Sequence, residues 1–197
     1  MVIGTIGAGR IAKAFVGHVA KAGYQVIMSN KSGADSLREI AAGFGTNVST
    51  GTVEEAAKAD VVLLSIPWEE IPRVLGPLRF TDNQIILDTN NAIQFPEFKP
   101  MDLGGQVSTK IVQSYANHAK VVKVFNTLEA STLAQNPKEA GGNRVVFLSG
   151  DEPASKEKVK ALLKTLGFAP VDLGDLDTGG KIQTFGGPLS GLNLIRL

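Results

Sequence analysis

The sequence predicts an α/β protein, a doubly wound parallel sheet with helices on both faces and a short C-terminal helical tail. Three observations carry that expectation. Strand-like and helix-like segments alternate from end to end, the rhythm of βαβ units. The stretch from Val61 to Ile66 opens on four apolar residues without alternation, as in a strand covered on both faces. The apolar opening Met1–Ile6 runs straight into Gly7-Ala8-Gly9-Arg10-Ile11-Ala12, a G-x-G-x-x-A turn between a strand and a helix.

Each element has a local reason. Gly7 permits the tight turn after the first strand, and a helix from Arg10 to about Ala22 sets Ile11, Phe15, Val19 and Ala22 on one face. Gly23 stops that helix, and Tyr24–Met28 reads as the second strand. Ser32-Gly33-Ala34-Asp35 has capping-box spacing and announces a helix over 34–42. A short strand over 46–50 follows, and Thr52-Val53-Glu54-Glu55 repeats the capping pattern before another short helix. After the Val61–Ile66 strand come a helix over 69–78 and a strand over Gln84–Asp88. Residues 89–105, with Pro96, Pro100 and two glycines, read as a long loop. A helix over Ser108–Ala116, strands over Val121–Phe125 and Arg144–Leu148, a helix over Pro153–Thr165 and a strand over Phe168–Leu173 complete the alternation.

Composition narrows the class. The chain has 197 residues, 43% hydrophobic and 20% charged, as in a globular protein with room for a sizeable core. That length fits one domain over 1–173 with a tail over 174–197. A net charge of +1 argues against nucleic acid or an anionic membrane as partner. The absence of cysteine excludes disulfides, thiolate metal sites and cysteine nucleophiles, and no metal site is expected. Apolar runs are strand-length, too short to cross a bilayer, and the first strand starts at Met1; no leader and a cytoplasmic location are the expectations.

The G-x-G-x-x-A turn specifies a Rossmann-type dinucleotide site. Gly7 makes the turn, Gly9 lets backbone N–H groups approach a pyrophosphate, and Ala12 keeps the helix close to the sheet. The pyrophosphate then lies on the positive end of the helix dipole, against Ala8, Gly9, Arg10 and Ile11. NAD sites place an Asp or Glu at the end of the second strand; here that stretch is Ser29-Asn30-Lys31-Ser32-Gly33, with no acid. Hydroxyls, an amide and an ammonium suit a 2′-phosphate, and Arg38 lies two turns further on, so the expected cofactor is NADP(H).

Read together, the glycine turn, the basic second turn and the exit Ser65-Ile66-Pro67-Trp68-Glu69-Glu70 resemble the F420-dependent NADP reductase family. Val122-Lys123-Val124-Phe125-Asn126-Thr127, Ser149-Gly150-Asp151, Phe168-Ala169-Pro170-Val171-Asp172 and the glycine-rich tail extend the likeness over the whole chain. The resemblance implies hydride transfer between NADP(H) and the deazaflavin coenzyme F420. Asn30-Lys31 falls where the family carries a Ser-Arg or similar pair, and the lysine loses an arginine's bidentate grip on phosphate. Coenzyme F420 is the first acceptor to consider, followed by a flavin such as FMN, a quinone or a ferric chelate.

Hydride transfer between two rings asks the protein to stack and desolvate them; the cofactors carry the reactivity. That agrees with a chain holding only His18 and His118 and no evident triad, so no catalytic side chain is assigned; both histidines read as surface or packing residues. Ser65, Ile66, Pro67 and Trp68, with Asn90, Asn91 and Asn126, sit at expected strand ends, where ligands of open α/β sheets lie. Trp68 reads either as a ring-stacking wall or as a plug at a helix–sheet junction, and the asparagines either as ligands or as turn formers. The segment with Phe95 and Phe98 reads as a lid, a tether or a subunit contact. The apolar tail Leu189–Ile195 is expected to form a short helix on a second copy, giving a homodimer. A non-catalytic NADP(H)-binding redox sensor is the alternative; dehydrogenation of a small alcohol lacks both the acid and a helical substrate domain.

Overall fold

A computed structural model describes all 197 residues. Strand β1 (Val2–Ile6) enters helix α1 (Arg10–Lys21), whose Ala12, Phe15, Val16 and Val19 are buried against the sheet. Ala22 falls just outside the helix and is exposed. Strand β2 (Gln25–Ser29) leads not to one helix over 34–42 but to a 3₁₀ turn, Ala34–Leu37, followed by a five-residue α2 (Arg38–Ala42). The expected Ser32–Asp35 capping box does not form, because Gly33 takes the N-cap position without a side-chain bond. Asn30 and Ser36 bond each other instead, and a serine engaged in this way competes with helix propagation.

The next crossover behaves as its sequence dictates. After β3 (Val48–Thr50), Thr52 and Glu55 close a reciprocal capping box at the start of α3 (Val53–Ala56). Strand β4 (Val61–Leu64) is buried throughout, and its exit forms a 3₁₀ turn, Trp68–Glu70, before α4 (Ile71–Leu75). Strand β5 (Ile85–Asp88) follows. The segment expected to be loop holds a small antiparallel hairpin, β6 (Ile93–Gln94) with β7 (Lys99–Pro100). Helix α5 (Ser108–Tyr115) and strand β8 (Lys120–Val124) complete the parallel part.

The last third departs from the parallel expectation. The link from β8 contains only a four-residue α6 (Ala130–Leu133), too short for the crossover that a parallel neighbour requires. The chain turns back through β9 (Lys138–Glu139), and β10 (Gly142–Gly150) runs antiparallel to β8, with Leu148 opposite Val124. Helix α7 (Pro153–Thr165) then returns the chain to β11 (Ala169–Asp172), parallel to β10. Sheet order is β11-β10-β8-β5-β4-β1-β2-β3. Helices α1, α2, α6 and α7 cover one face and α3, α4 and α5 the other, each over its own hydrophobic cluster. No helix is long and apolar enough to cross a membrane.

The tail holds one helical turn, α8 (Gly179–Ile182), and its apolar stretch over 189–195 is not a helix. Gly186 and Gly191 turn the chain at positive φ, and β12 (Ile195–Arg196) pairs antiparallel with the start of β10. Buried Arg144 clasps this end by bonding Asn193, Gln135 and Glu139.

Candidate dinucleotide site

Strand order reverses between β1 and β4, and a cleft of about 520 Å³ opens at their carboxyl ends. Its floor is Ile6, Gly7, Ala8 and Gly9; its sides are Asn30 and Lys31, then Ser65, Ile66 and Pro67. Eight residues singled out in the sequence as cofactor contacts therefore meet in one place. The cleft also takes Val53 and Glu54 from α3, Arg73 and Val74 from α4, and Glu70, Pro77 and Leu78 from the turns on either side of α4, none of them expected from the sequence as a cofactor contact.

The two glycines do different work. Gly7 has φ of 101° and donates its N–H to the Ser29 carbonyl at 3.1 Å; a Cβ there would lie 2.0 Å from the Ser65 carbonyl oxygen. Only glycine lets the β4 exit come that close. Gly9 is the N-cap of α1 at φ of −71°, and a Cβ there would meet nothing within 4 Å. No side chain caps α1, so its first-turn N–H groups have no side-chain partner at the positive end of the dipole. That is the chemistry a pyrophosphate requires.

Charge around the turn is asymmetric. Arg10 and Lys31 are exposed, and neither joins an ion pair. Asn30 shapes the loop that presents Lys31: its Oδ1 accepts from the Ser32 N–H at 2.9 Å and its Nδ2 donates to Ser36 Oγ at 3.0 Å. Ser29 is buried, its hydroxyl donating to the Thr5 carbonyl, so it contributes structure to the turn. Arg38 pairs with Asp35 at 2.6 Å and lines a separate depression with Thr46 and Thr50. Within the cleft, Arg73 neutralises Glu70 at 2.6 Å. Glu54 joins no ion pair, and its own backbone N–H, the Thr52 hydroxyl and, less strongly, the nearby Lys58 ammonium hold its carboxyl below the usual carboxylate range.

Trp68 lies beyond the cleft, half-buried against the cluster beneath α4 and α5. The asparagines at the other strand ends bond within the protein. Asn90 is buried; its Oδ1 accepts from the Ile66 N–H at 3.0 Å and its Nδ2 donates to Asp88 at 2.9 Å, so it acts on the cleft by holding Ile66. Asn91 and Asn126 exchange bonds at 3.0 Å, and Asn126 also bonds Gln183 of the tail. Ser149 completes that set by donating to Gln183 Oε1 at 2.6 Å.

Beneath them lies a buried ion pair. Lys123 Nζ stands 3.4 Å from Asp88 Oδ2, both side chains fully shielded from solvent. The ammonium also donates to the Asn90 carbonyl at 3.0 Å, and Thr109 Oγ1 donates to Asp88 at 2.8 Å. A lysine inside an otherwise apolar strand of a doubly covered sheet must find a carboxylate, and that was the signal available in Val121–Phe125. His18 packs edge-on against Phe168 with Nε2 2.6 Å from the Leu133 carbonyl oxygen, and exposed His118 faces Asp82. Neither touches the cleft.

Residues 2–92 match the family described as NADP oxidoreductase, coenzyme F420-dependent. The crystal structure of a hypothetical protein from Sinorhizobium meliloti is 43% identical, with a TM-score of 0.95 over 100% of this chain and 97% of that one. A candidate F420-dependent NADP reductase from Arthrobacter sp. FB24 shares the fold at a TM-score of 0.73 and 24% identity, over 92% of this chain and 88% of that one. The metalloreductase STEAP3 of Rattus norvegicus is 23% identical over 183 residues, 92% of this chain but 35% of the relative. The chain thus spans about a third of the length of the curated relatives it matches.

Proposed function

The chain belongs to the coenzyme F420-dependent NADP oxidoreductase family, whose Rossmann fold it carries, and from that premise we propose that it moves hydride between NADP(H) and a flat redox acceptor of the deazaflavin or flavin class. One observation carries the cofactor half of this reading. The uncapped start of α1, with open space above Gly9, stands beside a Lys31 that no carboxylate occupies. The first-turn N–H groups would hold the pyrophosphate, and Lys31 and Arg10 would meet the anionic edge of the nucleotide. The nicotinamide supplies the hydride chemistry when bound. The protein's part is to fix the β4 exit: the Asn90 amide anchors Ile66, and Gly7 lets the Ser65 backbone close on the turn. The curated relatives are named metalloreductases, so a ferric chelate is a second acceptor to try.

The experiment is a titration with NADPH and NADH, followed by addition of F420, FMN and ferric citrate in turn while the reduced-nicotinamide absorbance is recorded. NADPH is expected to bind at least about tenfold tighter than NADH, the scale of one charge-assisted contact, and one acceptor to oxidise it. Equal affinities overturn the NADP assignment. Tight NADPH binding without oxidation by any of the three makes the protein a redox-sensing NADP(H) module.

A further inference from the structure

The hairpin β6–β7 carries the most conspicuous apolar surface near the sheet's carboxyl edge. Phe95 is 67% and Phe98 59% exposed, and the rings stand edge to face with centroids 5.6 Å apart. Phe98 meets Phe185 of the tail in a second edge-to-face contact at 5.2 Å. We propose that Phe95, Phe98 and Phe185 form the platform on which the flat ring of the hydride acceptor rests, an inference that rests on the hydride-transfer reading above.

Position is the first argument. The glycine turn at β1 fixes the pyrophosphate, so the second half of a dinucleotide crosses toward β4, β5 and β8. The hairpin leaves the end of β5 through Asn90 and Asn91, on that same side. Asn91 is tied to Asn126 at the exit of β8, and Phe185 follows Gln183, which bonds Asn126 and Ser149. The three rings are therefore carried on segments tied to the exits of β5 and β8, the side to which the second half of a dinucleotide crosses.

Construction is the second argument. Phe98 sits at φ of 54°, a left-handed backbone that a bulky residue rarely adopts, and the Met101 N–H closes on the Ala92 carbonyl at 3.0 Å. The tail braces the hairpin where Gly186 approaches Pro100. Such a segment holds its rings outward by its own backbone. Size is the third argument. Phe95 and Phe98 together leave roughly 250 Å² of apolar surface, suited to one fused ring system. A stable protein interface needs about 800 Å² from each partner, so a second copy of the chain fits this patch poorly.

The test uses FMN as the probe, with NADP⁺ bound, and reads FMN fluorescence on titration with protein. The proteins compared are the parent, F95A/F98A and F185L, each also titrated with NADPH and sized by light scattering. F95A/F98A is expected to lose on the order of tenfold in FMN affinity, the scale of two aromatic contacts, and to keep the parent's NADPH affinity. F185L is expected to show the same loss, smaller in size. FMN affinity unchanged in F95A/F98A overturns the platform while leaving the NADP reading intact. FMN affinity unchanged together with a shift from dimer to monomer assigns the patch to a second copy and overturns it as well. A parent protein that binds no NADPH brings down the hydride-transfer reading and the platform with it.

Discussion

At the β1–α1 turn no side chain caps the helix and neither Arg10 nor Lys31 has an acidic partner, whereas at the exits of β5 and β8 the amides of Asn90, Asn91, Asn126 and Gln183 are all bonded within the protein. The first region is built from backbone and leaves its helix N-terminus and two cations free. The second is built from side chains that consume one another. Binding through backbone needs glycine, because only glycine permits the approach, and it leaves other side chains uncommitted. A rigid frame needs satisfied amides, since each unpaired one would carry a desolvation cost of about 1–3 kcal/mol. Asparagines at strand ends, Asn30 included, therefore shape the frame, while the free polar groups of the cleft are the backbone of the glycine turn and its two cations.

The frame breaks hardest at Lys123. Lys123→Met leaves the Asp88 carboxylate buried with no countercharge, a change worth about 3–5 kcal/mol of stability. Chemical denaturation of K123M reads that loss directly. The double variant D88N/K123M removes both charges and is expected to be more stable than K123M alone. If K123M unfolds at the parent's midpoint, the pair is not part of the frame.

The two glycines give the next largest effects and separate folding from binding. Gly7→Ala forces a Cβ to within 2.0 Å of the Ser65 carbonyl at a φ alanine avoids, which costs about 3 kcal/mol of stability. A Cβ at Gly9 meets no protein atom within 4 Å, so Gly9→Val is expected to keep the parent's melting temperature while losing NADPH binding by roughly a hundredfold. Calorimetry on both variants decides. An unstable G9V, or a G9V that still binds NADPH, removes the turn from the site.

What the sequence made legible follows the same division. The Gly7–Ala12 turn, the Thr52–Glu55 capping box and the Pro153–Thr165 helix were readable because each is enforced within a few residues of chain. The antiparallel β10 was not, since its direction depends on how little helix forms between Phe125 and Gly141, and α6 is a single turn. The apolar run Leu189–Ile195 predicts a helix, yet Gly191 turns the chain there and Arg144, distant in sequence, fixes it through Asn193. In the site, the glycines and Lys31 could be found; Arg73 and Glu54 could not, because they belong to helices that only the fold brings to the cleft.

Lys31 sharpens the comparison from the binding side. Lys31→Ala is expected to weaken NADPH by roughly tenfold and NADH by much less, since only the former carries a 2′-phosphate for the ammonium. Parallel titrations of K31A and R38A test the placement as well. Arg38 is paired with Asp35 and lines a different depression, so R38A is expected to bind NADPH like the parent. Equal losses for the two nucleotides in K31A would show that Lys31 does not meet the 2′-phosphate.

The smallest effect comes from Glu54, the one carboxylate of the cleft outside an ion pair. Glu54 is held below the usual carboxylate range by its own backbone N–H and the Thr52 hydroxyl, so it stays ionised throughout about pH 5 to 8. A negative charge on the rim opposes an anionic nucleotide while helping to cap α3, whereas the frame's carboxylate, Asp88, faces only donors. Glu54→Gln is expected to tighten NADPH by roughly twofold to threefold, with the gain shrinking as salt is added, because the site is exposed and screened. The gain should be smaller for NADH, which carries fewer charges. A weaker NADPH complex in E54Q would mean that Glu54 accepts hydrogen bonds from the bound nucleotide, and the open half of the edge would then hold its ligand with side chains as well as backbone.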